Sequence, residues 1–256
     1  MILTTEEQLT PKFEAQPSEY QKIDGMFDFH TLTDNIVSEV PDNGLIVEAG
    51  VYKGRFAAFV RELLTYNRPN NGIKQRLIDI FETQRWTDAD GVERSWGEFT
   101  EIFFIVEQFH WIKPGGRQIL ADVKFTQDYS HNALRSLDPN TVDMLYVDAD
   151  HSGWGCYGDI TIGAPSLKPG GVVLIHDYHH PFSPEVTSAV DMFVADNPHI
   201  EFHCHRCTPG MPWPQNHVVW FRAPQNGQYQ IRTKKEFEKE IKKFPVFSAK
   251  TKPLNF

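Results

Sequence analysis

Short apolar runs alternate with helix-periodic segments along this chain, and several of the runs stop at a carboxylate. GLIVEAG (44–50) is followed by Arg55–Tyr66, in which Phe56, Phe59, Val60, Leu63 and Leu64 recur at helical spacing. RLIDIFE (76–82) precedes a predicted helix over Thr100–Trp111, which Gly115 and Gly116 break before RQILADV (117–123). A short helix over His131–Leu137 leads to TVDMLYVDADH (141–151). A helix over Tyr157–Ser166 and the turn Lys168–Gly171 lead to VVLIHDY (172–178). After a helix over Pro184–Asn197, EFHCHRC (201–207) and HVVWFRA (217–223) read as an antiparallel pair around the loop TPGMPWPQN. This alternation predicts an α/β fold: a doubly wound, mostly parallel seven-stranded sheet with an antiparallel edge.

Around that frame, residues 1–43 read as a lead-in ending in a helix over His30–Val40, residues 44–223 as the main domain, and 224–256 as a tail. Residues 83–98 are polar and read as a loop or insertion. The longest near-apolar run, Gly170–Ile175, is far shorter than the roughly 20 residues of a spanning helix. The N-terminus MILTTEEQLTPKFE lacks the basic-then-apolar order of a signal peptide. A cytoplasmic protein with no membrane partner is therefore expected. Cys156, Cys204 and Cys207 do not make a disulfide framework. Lys and Arg number 25 against 34 acids, a net charge of −9, and nucleic-acid affinity comes mainly from neutralising phosphates. The expected partner is thus a small molecule and not nucleic acid; a homo-oligomer is compatible with the sequence. The Lys/Glu run from Lys234 to Lys243 reads as a solvated helix face.

In an open α/β sheet, ligands bind outside the carboxyl ends of the strands, so the informative residues are those where each run stops. The first run ends in Glu48-Ala49-Gly50-Val51-Tyr52-Lys53-Gly54. Gly50 lets the backbone turn tightly and approach a ligand, and Gly54 lets the next helix sit close to the sheet. Asp79 closes the second run and could accept hydrogen bonds from a ribose diol, with Glu82 a bystander. The fourth run ends in Asp148, Asp150 and His151, the fifth in His176, Asp177, His179 and His180. So many ionisable groups at one mouth of a sheet are costly and point to function.

VEAGVYKG, LIDIFE, YVDADHSGWGCYGDI and LKPGGVVLIHDY together resemble class I S-adenosylmethionine-dependent methyltransferases, most of all the catechol-type and sugar O-methyltransferases. The likeness covers roughly residues 44–195. It implies that Glu48, Gly50 and Tyr52 line the methionine part of the cofactor, with Gly54 at the helix start. Asp79 would hold the ribose, Ala121 and Asp122 at the end of the third strand would border the adenine, and Asp148 would face the sulfonium. In the metal-dependent members, an acid at Asp148 joins two adjacent acid or amide residues, here His176 and Asp177, around Mg²⁺. His176 departs from that pattern because Mg²⁺ prefers oxygen ligands, although Asp148, Asp150 and Asp177 could supply oxygens. His151 or His176 is the expected base for O-methylation of a small hydroxyl acceptor, with Asp177 beside them and a metal-bound alkoxide near Asp148 and Asp177 as the variant mechanism.

Two other readings compete: a cofactor-binding protein of the same fold without catalysis, and a nicotinamide-dependent oxidoreductase. The latter wants G-x-G-x-x-G after the first strand, and Tyr52 stands where the middle glycine belongs. His203, His205 and Cys207 would share one strand face near His217, but they lack a second ligand cluster and read as ordinary strand packing, and Cys156 reads as a buried small side chain.

Overall fold

The computed structural model describes residues 2–4, 9–23, 29–81, 84–87, 93–96, 122–206 and 217–243. A short strand β1 (Ile2–Thr4) and helix α1 (His30–Glu39) precede the first βαβ unit, which is β2 (Leu45–Ala49), α2 (Arg55–Asn67) and β3 (Lys74–Asp79). A separate antiparallel hairpin follows, β4 (Gln84–Thr87) with β5 (Glu93–Trp96). The alternation then resumes with β6 (Val123–Gln127), α3 (Ser130–Arg135), β7 (Val142–Val147), α4 (Gly153–Gly163), β8 (Leu167–Tyr178) and α5 (Pro184–Asp196). It closes with β9 (Phe202–Arg206), β10 (His217–Arg222) and α6 (Lys234–Glu240).

The expected seven strands lie in one sheet in the order β9-β10-β8-β7-β2-β3-β6, and β1 adds an eighth beyond β9. Strands β8, β7, β2, β3 and β6 run parallel, whereas β10 is antiparallel to both β8 and β9. Period-2 alternation divides the core. Val47, Ala49, Leu145, Val147, Val173 and Ile175 face one layer with α3, α4, α5 and α6. Ile46, Met144, Tyr146, Val172 and Leu174 face the other, with α1 and α2. Parallel strands covered on both faces must be apolar on both, which is why these runs are nearly continuous. Tyr20, Ile23 and Phe29 of the lead-in and Phe237 and Ile241 of the tail join these cores. No helix among the described residues is long and apolar enough to cross a membrane.

Three local expectations need correction. Residues 83–98 contain the β4–β5 hairpin. The third strand begins at Val123, with Lys124 and Gln127 exposed. Such an edge strand lacks a continuous apolar run, and the more apolar stretch before it drew the assignment; residues 117–121 lie outside the described residues. Helix α4 starts at Gly153, not Tyr157, because its glycines serve packing rather than a turn. A Cβ at Gly155 would lie 1.9 Å from Asp150 Cγ, and one at Gly158 would lie 2.3 Å from His131 Nε2. The expected turn at Lys168–Gly171 survives inside β8 as a register shift against β7. The predicted helix over Thr100–Trp111 lies outside the described residues.

Candidate active site

The chain order along the sheet reverses at β2, whose neighbours are β3 and β7, so a crevice opens between the carboxyl ends of β2 and β7. Gly50 begins the loop there with φ +90. A Cβ at this position would stand 2.1 Å from the Asp148 carbonyl oxygen, so the glycine is required by the crossing of two backbones as well as by any ligand. Gly54, also left-handed, caps α2, and Tyr52 has φ 49 between them. Asp79 holds this turn: its Oδ2 accepts from the Val51 and Tyr52 amides at 2.8 and 2.9 Å, and Oδ1 accepts from Phe81 at 3.3 Å. The expected diol acceptor is therefore also the anchor of the Gly50–Gly54 loop.

Glu48 lies under this turn, 2 % exposed, and its Oε2 has no hydrogen-bond partner among the described residues. Burial, and then the charges of Asp148 and Asp79, push its pKa well above the ordinary range. A buried carboxyl without a donor at the mouth of a crevice suits a cationic ligand.

Asp122 does not reach the crevice. It precedes β6, its carbonyl accepts from Gln75 near the start of β3, and its carboxylate lies 3.9 Å from Arg61, all at the opposite end of the sheet. The register that pairs Asp79 with Gln127 brings Gln127 and Asp128 to the ligand end instead. Reading the edge strand too early displaced this residue.

Across the crevice, the ends of β7 and β8 bring Asp148, His151, His176 and Asp177 together. His176 Nδ1 is 3.3 Å from Asp148 Oδ1 and 3.1 Å from Asp177 Oδ1. His151 Nε2 is 3.3 Å from Asp148 Oδ1 and 3.4 Å from Asp177 Oδ2. The Tyr146 hydroxyl donates to Asp148 Oδ2 at 2.8 Å, and its ring stacks on Phe56 with centroids 4.2 Å apart. Tyr146 was not foreseen; its place two residues before Asp148 on the same strand face was the available signal. Burial alone would raise both carboxyls, but the two imidazoles hold Asp148 far below, and His176 foremost holds Asp177 below, the usual range. Burial works against the His151 cation, yet hydrogen bonding to Asp148 and the charges of Asp148 and Asp177 raise its pKa to about 8.

Only one of the two imidazoles is placed to meet a ligand. His151 is 43 % exposed and lines a cleft of 480 Å³ with Pro181, Phe182, Ser183, Pro184 and Glu185. His176, expected as an alternative base, is 4 % exposed and is turned between the two carboxylates. Phe182 is 57 % exposed, and Glu185 Oε2 accepts from Gly153 N at 2.9 Å, tying α5 to the start of α4.

Among the described residues, Asp148, His151 and Asp177 form the one group with ligand atoms close enough to share a metal ion. Asp150, expected as a further oxygen donor, turns back to accept from Ser152 N at 2.8 Å. Two carboxylates interleaved with two imidazoles do not fit Mg²⁺, which takes an all-oxygen shell. His203 stacks on Trp220 at 4.2 Å, as strand packing would have it, and Cys156 is buried, which pushes its thiol pKa up.

The profile of the methyltransferase-domain family matches residues 47–178, just over half of the chain. No curated protein matches the sequence. Among solved structures, the O-methyltransferase NovP is similar at 19 % identity and a TM-score of 0.53, over 75 % of this chain and 79 % of NovP. An O-methyltransferase from Bacillus cereus in complex with SAH is similar at 10 % identity and a TM-score of 0.53, over 82 % and 92 %. An rRNA methylase from Streptococcus thermophilus is similar at 13 % identity and a TM-score of 0.52, over 78 % and 98 %. At these identities the three structures share the fold with this chain. With the family profile spanning the strand ends that build the crevice, the chain belongs to the methyltransferase-domain family and is a class I S-adenosylmethionine-dependent methyltransferase.

Proposed function

We propose that this chain transfers a methyl group from S-adenosylmethionine to a hydroxyl of a small-molecule acceptor, with His151 taking the hydroxyl proton. The observation that carries this reading is the position of His151. Its Nε2 faces two ionised carboxylates, which leaves Nδ1 as the nitrogen to accept a proton, and the residue lines a cleft at the same mouth of the sheet as Glu48, whose Oε2 has no donor among the described residues. When bound, the cofactor supplies an electrophilic methyl group on a sulfonium, and the protein supplies alignment and deprotonation.

Glu48 takes the ammonium of the methionine end, and the Gly50–Gly54 turn with Tyr52 brackets it. Asp79 Oδ1, which among the described residues receives the Phe81 amide alone, is left to accept from the ribose, and Gln127 borders the adenine. Asp148 faces the sulfonium side with its charge. Asp148 and Asp177 orient His151 and stabilise the imidazolium formed when it accepts a proton.

A hydroxyl acceptor is supported by the O-methyltransferases among the structural neighbours. A small acceptor, as opposed to RNA, is supported by the net charge of −9. The test is calorimetric titration with S-adenosylhomocysteine, followed by methyl transfer to a panel of catechols, sugars and simple alcohols by wild type and His151→Gln. Micromolar binding in both, with transfer lost in the variant, is the expected result. A folded protein that binds no S-adenosylhomocysteine overturns the cofactor reading. Binding with silence across the panel favours the non-catalytic alternative, and undiminished transfer by His151→Gln removes the base.

A further inference from the structure

We infer that this reaction centre works without Mg²⁺ or a similarly hard divalent cation, because the buried His176 imidazole lies between Asp148 and Asp177 where such an ion would need an oxygen ligand. Six contacts to the four carboxylate oxygens carry the inference. Asp148 Oδ1 receives His151 Nε2 and His176 Nδ1, each at 3.3 Å. Asp148 Oδ2 receives the Tyr146 hydroxyl at 2.8 Å. Asp177 Oδ1 receives His176 Nδ1 at 3.1 Å. Asp177 Oδ2 faces His151 Nε2 and the Ser183 hydroxyl, both at 3.4 Å. Every oxygen of the carboxylate pair thus already has a protein donor, and both contacts of His176 Nδ1 are to acceptors, so that nitrogen carries a proton. A cation bridging the carboxylates would meet this N–H rather than a lone pair.

His176 has little freedom to leave. It is 4 % exposed, with its ring 5.5 Å from Phe29 and 6.2 Å from Tyr146 between centroids. In the metal-dependent enzymes that the chain resembles, an acid or amide is expected at this position. Exchanging it for an imidazole removes an oxygen ligand and adds a donor. The two histidines then divide the work. His176 is a positioning residue that holds the two carboxylates together, and the more exposed His151 reaches the cleft.

The inference rests on the proposed methyl transfer only for its turnover readout. Calorimetry with Mg²⁺ and Mn²⁺, and Mn²⁺ electron paramagnetic resonance, are run on wild type, His176→Asp and His176→Gln, with thermal unfolding as the fold check. Wild type is expected to show no saturable cation binding, and its methyl transfer is expected to be the same with and without a chelator. His176→Asp and His176→Gln, each of which restores an oxygen ligand, are both expected to gain binding, the charged variant more tightly. Saturable binding of either ion by wild type, abolished by Asp148→Asn, overturns the inference. Titration of the same samples with S-adenosylhomocysteine keeps the two claims apart. Cofactor binding together with cation binding defeats only the inference, and absence of cofactor binding defeats only the proposed function.

Discussion

Replacing Glu48 with glutamine separates stability from cofactor binding, and the two should move in opposite directions. The side chain is 2 % exposed and its Oε2 has no donor among the described residues. Leaving one buried polar group unsatisfied costs about 1–3 kcal/mol. Glutamine keeps the shape and leaves its own amide unpaired, so what it removes is the buried charge, and the ligand-free variant is expected to be more stable than wild type by at least about 1 kcal/mol at neutral pH. For a chain of this size, each kcal/mol corresponds to about 2–4 °C in Tm. The pH dependence has a definite sign. Burial, Asp148 and Asp79 raise the folded-state pKa of Glu48, so its contribution is whole below the unfolded carboxyl range and is lost as pH rises through the raised value. The advantage of the variant should therefore shrink in acid. S-adenosylhomocysteine at about 100 times Kd should stabilise wild type by about 2.7 kcal/mol. Losing a charge-assisted hydrogen bond costs about 1.5–3 kcal/mol, or roughly a ten- to hundredfold weaker Kd. At the same ligand concentration the variant should then gain only about 0.4–1.4 kcal/mol. Thermal unfolding at acidic and neutral pH, with and without ligand, together with calorimetric Kd values, reads both effects. A ligand-free variant less stable than wild type at neutral pH, or an unchanged Kd, would refute the reasoning.

Three further outcomes are expected. His151, raised to about 8, is protonated below that pH and cannot accept the hydroxyl proton, so kcat/KM should climb about tenfold per pH unit and level off above it; a profile flat from neutral to alkaline pH would exclude it as the base. Gly50→Ala should destabilise the fold by about 3 kcal/mol or more, because its Cβ would meet the Asp148 carbonyl at 2.1 Å from a left-handed backbone; denaturant unfolding measures this. Phe182→Ala should leave stability within about 0.5 kcal/mol of wild type, since the ring is 57 % exposed, but raise the acceptor KM while sparing kcat; a kcat loss with KM unchanged would remove Phe182 from acceptor binding.

Much of the fold could be read along the chain, because the alternation of period-2 runs with period-3.6 segments is local and each run reports its own burial. Strands covered on both faces, such as β7 and β8, stood out as continuous apolar runs. Edge strands did not. Strand β6 exposes Lys124 and Gln127, so its position was misread and Asp122 was assigned to an end of the sheet that it does not reach. The glycines of α4 resemble turn residues until Asp150 and His131 are seen packed against them.

The sequence by itself determined the order of strands and helices, the candidate residues at the strand ends, and the expectation that Asp148, His151, His176 and Asp177 work at one mouth. Local patterns suffice for those. Only the tertiary structure decided what each of these groups does. Parallel pairing of β7 with β8 brings residues 28 positions apart into contact, and the neighbours acquired there divide two similar histidines into a buried one between carboxylates and an exposed one on a cleft. The same holds for β1, which pairs with β9 from the far end of the chain. Burial, charge compensation and strand register are sums over neighbours remote in sequence, so no local pattern carries them.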